Sequence, residues 1–534
     1  MSHQNDQHLP EGEFRLEQHF GLSMRCFAER PENLAAMFAQ SVRRFPDRLA
    51  VAEDITLTYG ELDAMSARIA ASLAARHLQP GDRVALLLGN CHEFIASFLA
   101  CIKSGLIVVP IGIRQQRAEL EFLLNDCGAK AILFEADLAH IVPSLEEVAS
   151  LTRRIAVHGA VDGAEPFAAL DLAGQDAPDW QPREDDVAVI LYTSGTTGKP
   201  KGARLTHLGM IHSGLTYARS NGLDENDRGL VAVPISHVTG LVAIMVTMLL
   251  VGGCTVLMRR EFKTPEFLDL MSGARITYTL VVPTIYTLCV LHPEFGTWDL
   301  SAWRIGGFGG APMPVPTIEA LAQQLPGLEL INAYGATETT SPATIMPRPL
   351  WRDNLDSVGL PVPCGNITII DDAGVEVAPG TPGELLISGP MVVPGYWNRP
   401  DADAREFIKG AWRSGDIGSK DANGFVRVFD RKKDMINRGG FKIFCAEVES
   451  TLSGLDGVAE CAVIGKPDSV LGERVHAIIV ERRSGALSRD AVRDFCAARM
   501  ADYKVPEIVT LQDQPLPRNA NGKIQKAVLR EHFN

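Results

Sequence analysis

The chain has 534 residues, of which 46% are apolar and 22% charged, and its formal net charge is −14. This length predicts more than one domain, each able to bury a core, and the composition is that of an ordered globular protein. The acidic balance argues against a nucleic-acid partner, which would require clustered basic charge. Ten cysteines are scattered singly, with no C-x-x-C spacing. They predict reduced thiols in a cytoplasmic protein rather than a disulfide scaffold or a zinc site.

The N-terminal residues 1–25 are predicted to be a polar tail. Further along, the apolar stretch 235–258 imitates a membrane span. Its uninterrupted part, 241–251, is about eleven residues long, and a bilayer requires roughly 20. We therefore predict a buried helix followed by a strand at 254–258, and no transmembrane segment.

Helix and strand patterns alternate through the first four-fifths of the chain. Apolar runs that read as strands are separated by helix-like segments, which favours largely parallel sheets covered by helices on both faces. Helices are predicted at 66–76, 92–104, 120–126 and 265–272, and strands at 83–88, 106–111, 131–134 and 278–282.

The final part of the chain has a different texture. The turn 380–383 and the strand 384–388 predict a small antiparallel β unit, and the charged run at 430–434 is typical of a hinge. After it we predict helices at 447–452 and 489–500, the second capped by Ser488, and strands at 461–464 and 477–480. The predicted fold class is α/β: a body over 26–430 of mostly parallel, helix-covered sheets plus a small β unit, a hinge at 431–434, and a small C-terminal α+β domain over 435–534.

The most informative segment is the loop that follows the apolar strand 187–191. It supplies hydroxyl groups, glycines and lysines toward one point, as a polyphosphate requires. Its spacing is not that of the common P-loop, because two residues separate its first two glycines and Pro200 follows the first lysine. The predicted phosphate ligands are Thr193, Ser194, Gly195, Thr196, Thr197, Gly198, Lys199 and Lys201.

A second segment runs from Asn332 to Glu338. Tyr334 offers a flat ring for a base, Thr337 a hydroxyl for a phosphate, and Glu338 a carboxylate for a hard cation. Mg²⁺ bound to ATP takes such oxygen ligands and needs few of them from protein.

Together the two segments resemble the adenylate-forming superfamily, which includes acyl-CoA synthetases, peptide-synthetase adenylation domains and beetle luciferases. The resemblance spans about residues 30–530. Four further matches follow the family's order: Gly309-Gly310-Ala311-Pro312, Trp412-Arg413-Ser414-Gly415-Asp416, Arg431 with Lys433, and Pro517-Arg518-Asn519-Ala520-Asn521-Gly522-Lys523.

The resemblance implies roles for individual residues. Those around the adenine are Gly310, Ala311, Ala333 and Tyr334; those on the ribose are Asp416 and Arg431; the catalytic set is Lys523, Thr337, Glu338 (also the Mg²⁺ ligand) and His237 beside the acyl pocket; the hinge residue is Lys433; and those toward coenzyme A are Gly439, Gly440 and Lys442. Three departures from the family pattern are Cys445 in place of proline, Pro-Arg-Asn in place of Pro-Lys-Thr with Lys526 in place of arginine, and a second glycine at 440.

The implied activity is that of an AMP-forming acid–CoA ligase. A carboxylate attacks the α-phosphorus of MgATP to give an acyl-adenylate, and the thiol of coenzyme A then displaces AMP after the mobile C-terminal domain rotates. The implied partners are a carboxylic acid, ATP and coenzyme A, with a homodimer as a further prediction. The acid pocket is expected near Met210, 237–242, Pro283, Phe308 and 339–342, where no lysine or arginine occurs. A medium-chain or aromatic monocarboxylate is therefore predicted.

Three other readings stay open at this point. An adenylating enzyme could load the phosphopantetheine of a carrier protein, although the chain contains nothing that resembles a carrier domain. A luciferase-like oxidative role is more distant. A non-catalytic nucleotide-binding protein would be expected to lack Lys523 or Glu338, and both are present.

Overall fold

The computed structural model describes residues 14–170, 180–193, 200–259, 262–311, 313–518 and 524–533. Within these ranges the chain forms two compact units. The first spans Met1–Ile367, Ile387–Arg413 and Asn423–Val426, and the second spans Thr368–Leu386, Ser414–Ala422 and Arg427–Asn534. We describe each unit by itself.

The helices alternate with strands through most of the chain. They are α1 (Leu34–Arg44), α2 (Tyr59–Ala75), α3 (His92–Lys103), α4 (Arg117–Cys127), α5 (His207–Asn221), α6 (Thr247–Val251), α7 (Thr264–Gly273), α8 (Pro283–Val290), α9 (Val315–Gln324), α10 (Pro400–Glu406), α11 (Cys445–Ser453), α12 (Arg489–Ala497) and α13 (Lys526–Phe533).

The strands are β1 (Phe14–His19), β2 (Leu22–Phe27), β3 (Leu49–Ala52), β4 (Thr56–Thr58), β5 (Arg83–Leu87), β6 (Ile107–Pro110), β7 (Ala131–Glu135), β8 (Arg153–Val157), β9 (Glu165–Pro166), β10 (Val187–Thr193), β11 (Lys201–Thr206), β12 (Arg228–Val231), β13 (Cys254–Leu257), β14 (Tyr278–Val281), β15 (Ile305–Phe308), β16 (Glu329–Tyr334), β17 (Thr344–Ile345), β18 (Leu360–Pro361), β19 (Asn366–Ile370), β20 (Gly383–Ser388), β21 (Phe407–Ile408), β22 (Ala411–Lys420), β23 (Val426–Arg431), β24 (Ile436–Arg438), β25 (Phe441–Ile443), β26 (Val458–Asp468), β27 (Gly472–Glu481) and β28 (Ile508–Gln512).

Two large sheets organise the first unit. One has the strand order β18-β17-β16-β15-β14-β12-β13-β3-β4, and its central strands from β16 to β3 are parallel. The other has the order β11-β10-β6-β5-β7-β8-β9 and is parallel except for the edge strand β11, which runs antiparallel to β10. The prediction of mostly parallel, helix-covered sheets is confirmed. The strands are continuous apolar runs because helices cover both faces.

Local signals explain where the helices begin. The Thr58 side chain accepts from the backbone N–H of Glu61 at 3.2 Å, and the Glu61 carboxylate accepts from the N–H of Thr58 at 2.8 Å. This reciprocal capping box starts α2 at Tyr59, seven residues before the predicted start. In α3, by contrast, almost every side chain from Glu93 to Ile102 is buried, so the whole helix is interior.

The N-terminal prediction is corrected by the structure. Residues 14–27 form the antiparallel hairpin β1–β2, in which Phe14 lies opposite Phe27 and His19 opposite Leu22. The tail predicted over 1–25 is therefore wrong from residue 14 onward, and residues 1–13 lie outside the described ranges. Buried contacts with a distant part of the same chain stabilise this hairpin. Phe27 has no exposed surface, and its ring stacks on His212 at 5.1 Å.

The apolar stretch near residue 240 is interior, as predicted. It begins with π-helical turns over Thr239–Val246, continues as α6 and leads into β13. Each residue from Gly240 to Leu249 is buried. In the described part of the chain no helix is both long and apolar enough to cross a membrane.

The second unit contains two small sheets. In one, β19, β20 and β22 are successive neighbours and β23 lies beside β22; in the other, the order is β25-β24-β27-β26 with β28 beside β27. This grouping differs from the predicted boundary at residue 430, because β23, which begins at Val426, pairs with β22 and so shares a sheet with β19 and β20. The hinge at 431–434 stays a prediction. Ser488 caps α12 as predicted, accepting from the N–H of Ala491 at 3.1 Å.

Candidate active site

The predicted site residues of the first unit gather at one edge of the nine-stranded sheet. Strands β16, β15, β14 and β12 are parallel neighbours, so their carboxyl ends meet at the same edge. His237 follows β12, Pro283 follows β14, Gly310 and Ala311 follow β15, and Glu338 follows β16. This is the edge at which open α/β sheets bind their ligands.

The loops after β15 and β16 pack against the backbone with no room for side chains. A Cβ on Gly309 would overlap the carbonyl oxygen of Ala333, and a Cβ on Gly335 would overlap that of Ser341. Glycine at 309 therefore permits the loop after β15 to approach the end of β16, and glycine at 335 permits the loop after β16 to fold back on itself. Ala333 and Tyr334 end β16 directly before the second loop, and their contact with adenine stays a prediction.

Two residues after the Glu338 turn have strained backbones. Thr340 has φ +50° and Ser341 has φ +97°, values that residues with a side chain rarely adopt. Helix α5 supports this conformation, since the Tyr217 hydroxyl lies 2.9 Å from the Ser341 Oγ. Both strained residues belong to the segment 339–342, which is expected to line the acid pocket.

A buried hydrogen-bond network holds Glu338. Glu338 is 8% exposed, and its Oε1 lies 2.8 Å from the hydroxyl of Tyr396. The same hydroxyl lies 2.8 Å from Oε2 of Glu406, so its single proton is shared between two carboxylates. Burial, together with these carboxylates, raises the pKa of Tyr396 and keeps the phenol as a donor.

Lys201 supplies the positive charge of this network. Lys201 is 4% exposed. Its Nζ forms an ion pair with Glu406 and lies 4.3 Å from the ring centroid of Tyr396. Burial raises the pKa of Glu406, but hydrogen bonds led by that from Lys201 outweigh it, so the pKa lies below its usual value. The structure thus places the Lys201 ammonium in an ion pair, and its predicted contact with phosphate stays a prediction.

The phosphate loop itself joins two paired strands. Thr193 ends β10 and lies opposite Lys201, which begins β11. The predicted ligands between them, Ser194, Gly195, Thr196, Thr197, Gly198 and Lys199, lie outside the described residues, as does Lys523.

The donor set at Glu338 fits the predicted magnesium ion. A buried carboxylate is a hard anionic ligand, and Mg²⁺ bound to a nucleotide takes one or two protein carboxylates. Glu338 would hold the ion, and the Thr337 hydroxyl, one residue earlier, would face the phosphate. When bound, the ion would neutralise charge on the phosphates.

His237 follows β12, and its role beside the acyl pocket stays a prediction. It is half-buried at the entry to the π-helical turns, where its backbone N–H donates to Pro234 O at 3.1 Å and its carbonyl accepts from Leu241 at 2.8 Å. Met210 and Phe308, two further pocket residues, are buried.

Within the second unit, the structure brings the two predicted ribose ligands together. Arg431 Nε lies 2.7 Å from Asp416 Oδ1, and the Asp416 side chain is 6% exposed. The backbone N–H of Asp416 donates to the Ser414 hydroxyl at 3.0 Å. Arg431 therefore orients the Asp416 carboxylate, an acceptor-only group, and the contact of the two residues with ribose stays a prediction.

The residues predicted to contact coenzyme A lie on a tight hairpin of the second unit. Gly439 (φ +57°) and Gly440 (φ +92°) are the two turn residues between β24 and β25. Two central residues with positive φ make the turn that joins antiparallel strands most closely, which explains the second glycine. Lys442 is exposed on β25, and Lys433 is exposed before β24.

Tyr396 and Glu406 were not predicted from the sequence. Their side chains reach Glu338 and Lys201 from 58 and 205 residues away, respectively. The Gly395-Tyr396 pair ahead of the acidic helix α10 is the signal that the sequence contained.

Comparison with known families identifies the chain. A family model described as AMP-binding enzyme matches residues 38–397, and a model described as AMP-binding enzyme C-terminal domain matches residues 447–523. This chain belongs to the AMP-binding enzyme family. The predicted adenylate-forming family and fold class are confirmed.

The relatives of this AMP-binding enzyme include CoA ligases that it matches over nearly their whole length. It is 35% identical to a feruloyl-CoA synthase of Amycolatopsis sp over 94% of this chain and 100% of that protein. It is 33% identical to the long-chain-fatty-acid–CoA ligase FadD13 of Mycobacterium tuberculosis, covering 94% and 99%. It is 32% identical to an indoleacetate–CoA ligase of Aromatoleum aromaticum, covering 91% and 94%. The predicted class of AMP-forming acid–thiol ligase is confirmed.

Solved structures agree. The o-succinylbenzoate CoA synthetase MenE of Bacillus subtilis, in complex with its acyl-adenylate, superposes with a TM-score of 0.82 at 30% identity over 95% of this chain and 98% of that one. The same synthetase in complex with ATP and magnesium gives 0.80 at 31% identity over 93% and 98%. ATP, Mg²⁺ and coenzyme A, the predicted cofactors, are confirmed for this family member.

Proposed function

We propose that this AMP-binding enzyme activates an aromatic or medium-chain monocarboxylate and transfers it to coenzyme A. The observation that carries the proposal is the gathering of His237, Pro283, Phe308 and Glu338 at the carboxyl edge of four adjacent parallel strands. Apolar side chains and a buried carboxylate thus lie at one edge, which supports a site for an acyl-adenylate.

In the first step the acid's oxygen would attack the α-phosphorus and pyrophosphate would leave. Catalysis here consists of positioning and of neutralising charge. Glu338 would hold the metal on the phosphates, and Thr337 would donate to the α-phosphate. Lys523 would bridge the acid and the α-phosphate as negative charge builds. Asp416 and Arg431 would hold the ribose.

In the second step the thiol sulfur of coenzyme A would attack the acyl carbon, and AMP would leave with the electron pair of the broken C–O bond. Gly439, Gly440 and Lys442 would line the path of the pantetheine arm, with the exposed Lys442 ammonium available to a phosphate of the coenzyme. A homodimer and a cytoplasmic location stay predictions from the sequence.

The chemistry of the residues expected to line the pocket supports the proposed acid class. Leu241, Val242, Met210 and Phe308 are buried and apolar. Among the residues expected to line the pocket, Met210, 237–242, Pro283, Phe308 and 339–342, there is no lysine or arginine. A second carboxylate on the acid would therefore find no cation in the pocket, and burying it unpaired would be unfavourable.

The test is a comparison of kcat/KM across four acid classes with MgATP and coenzyme A: a cinnamate, octanoate, acetate and succinate. We expect the cinnamate or octanoate to exceed acetate and succinate by at least about 100-fold, since each buried methylene adds about 0.8 kcal/mol. A preference for acetate or succinate would contradict the proposed acid class, and the ligase class would stand.

A further inference from the structure

Five potential metal ligands come together near the start of α3 in the first unit. They are Glu53, Cys91, His92, Glu93 and His158. Glu53 follows β3, the middle three follow β5, and His158 follows β8. No step of the adenylation chemistry described above uses any of them.

Their donor atoms converge on the Glu93 carboxylate. Oε1 of Glu93 lies 2.8 Å from Nε2 of His158 and 3.3 Å from Nε2 of His92. One donor atom from each of Cys91, Glu93 and His158 lies within 4.8 Å of the other two. A thiol, a carboxylate and an imidazole thus face one small volume.

The second carboxylate oxygen of Glu93 supports a cation site independently of the clustering of donor atoms. The residue is 7% exposed, yet Oε2 has no hydrogen-bond partner among the described residues. Buried carboxylate oxygens are normally paired, because leaving one without a donor sacrifices its hydration. An unpartnered anionic oxygen at this position is able to bind a cation.

The neighbouring His92 is oriented toward the Glu93 carboxylate by a hydrogen-bonded Glu53. Oε2 of Glu53 accepts from the backbone N–H of His92 at 2.9 Å and lies 3.0 Å from its Nδ1. If Nδ1–H donates to Glu53, the Nε2 lone pair of His92 faces the Glu93 carboxylate. A carboxylate behind a histidine in this way is the usual support of a metal-ligating imidazole.

We propose that Cys91 Sγ, the Glu93 carboxylate and His158 Nε2 bind a zinc ion, with His92 Nε2 as the donor for its fourth position and Glu53 supporting His92. Zinc is the metal of choice because it accepts sulfur, nitrogen and oxygen donors together in a tetrahedral site. Its bond lengths place neighbouring donors about 3.3–3.8 Å apart, which small side-chain movements would reach from the present spacing.

The ion would have a structural effect. It would tie the start of α3 to the segment after β8, and Glu53 would extend the link to the nine-stranded sheet. Burial raises the pKa of the Cys91 thiol, so binding would displace a proton from it. The cysteine spacing does not reveal such a site, because it uses one cysteine with ligands from distant segments.

The test is metal binding by the full chain without ATP or magnesium. The metal-free protein is titrated with zinc and, separately, with cobalt(II) as a spectroscopic probe. We expect one zinc per chain and a thiolate-to-cobalt charge-transfer band. Cys91→Ser should abolish the band, and His158→Gln should weaken zinc binding by about 100-fold or more. Glu53→Gln should weaken it by about 10–100-fold, as loss of a supporting carboxylate does. Cys101→Ser and His140→Ala are matched controls that should bind as the parent does.

A parent protein that takes up no stoichiometric zinc would overturn the proposal. So would equal zinc affinity in His158→Gln and in the His140→Ala control. His158 lies at the end of its segment with a side chain that is 24% exposed, so its variant tests the site even if Cys91→Ser does not fold.

Discussion

At the residue scale, Glu338 is a buried carboxylate whose orientation depends on one phenol. The Tyr396 hydroxyl lies 2.8 Å from it, and both side chains are buried. Glutamine in place of Glu338 would keep a hydrogen-bond acceptor for Tyr396 and remove the charge. The variant therefore separates metal binding from packing.

We predict that Glu338→Gln lowers acid-dependent ATP–pyrophosphate exchange by about 10²–10³-fold, as loss of one charge-stabilising group at a transition state typically does. Its urea unfolding midpoint should stay close to that of the parent. Glu319→Gln, on the exposed side of α9, is the control and should exchange normally. Normal exchange by Glu338→Gln would remove this residue from the site.

Tyr396→Phe tests whether the phenol positions Glu338. A hydrogen bond to a charged group contributes about 1.5–3 kcal/mol, so the Mg²⁺ concentration needed for half-maximal exchange should rise about 10–100-fold. Activity should return at high Mg²⁺. Tyr503→Phe, whose ring stacks on Phe441 at 4.5 Å, is the control. If the variant loses activity at every Mg²⁺ concentration, Tyr396 acts through packing alone and the positioning role is wrong.

At the element scale, the site depends on contacts that join distant elements. Lys201 at the start of β11 pairs with Glu406 at the end of α10. Such a pair cannot be read from sequence spacing, and this explains why Tyr396 and Glu406 were missed. Elements with local signals were predictable: the parallel strands from their apolar runs, and α12 from its Ser488 cap. The early start of α2 was also local, in Thr58 and Glu61, but its capping box was overlooked.

Lys201→Met should destabilise the first unit by about 3 kcal/mol, because it leaves the Glu406 carboxylate largely buried without its cation. The loss should be smaller than the 5 kcal/mol extreme, since the Glu406 side chain is 18% exposed and Arg405 also donates to it at 2.9 Å. The double variant Lys201→Met/Glu406→Gln should recover much of the loss in urea unfolding. Strictly additive losses would show that the two side chains are not coupled.

Gly335→Ala should abolish adenylation, because its Cβ would overlap the backbone carbonyl of Ser341 and force apart the loop that carries Glu338. Exchange and unfolding should both be measured. Gly327→Ala is the matched control, since a Cβ there meets nothing within 4 Å. An active Gly335→Ala enzyme would show that the close approach of these backbones is dispensable.

At the scale of the whole molecule, the sequence predicted the fold class and the order of the motifs, but not the limits of the compact units. The β unit that was assigned to the N-terminal body groups instead with residues 427–534. Sheet pairing across long intervals decides this division, and no local signal at Asp430 reports it. The short hairpin of residues 14–27 was missed for the same reason, since tertiary contacts at Phe27 stabilise it.

Lys523→Ala tests whether Lys523 acts in adenylation alone, as the predicted domain rotation about Lys433 requires. Adenylation should fall by about 10²–10³-fold, because the lysine would neutralise charge only in that step. Thioester formation from preformed acyl-adenylate should proceed at close to the parental rate. Equal losses in both half-reactions would contradict a role confined to adenylation.

The most direct test of the account is a product balance for the parent enzyme. One acid that is turned over is incubated with MgATP, with and without coenzyme A, and AMP, pyrophosphate and thioester are quantified. We predict pyrophosphate and bound acyl-adenylate without coenzyme A, and equal amounts of AMP, pyrophosphate and thioester with it. Adenylate and pyrophosphate without any thioester would contradict coenzyme A as the acceptor and favour a carrier protein. The absence of pyrophosphate with every acid would contradict adenylation at this site.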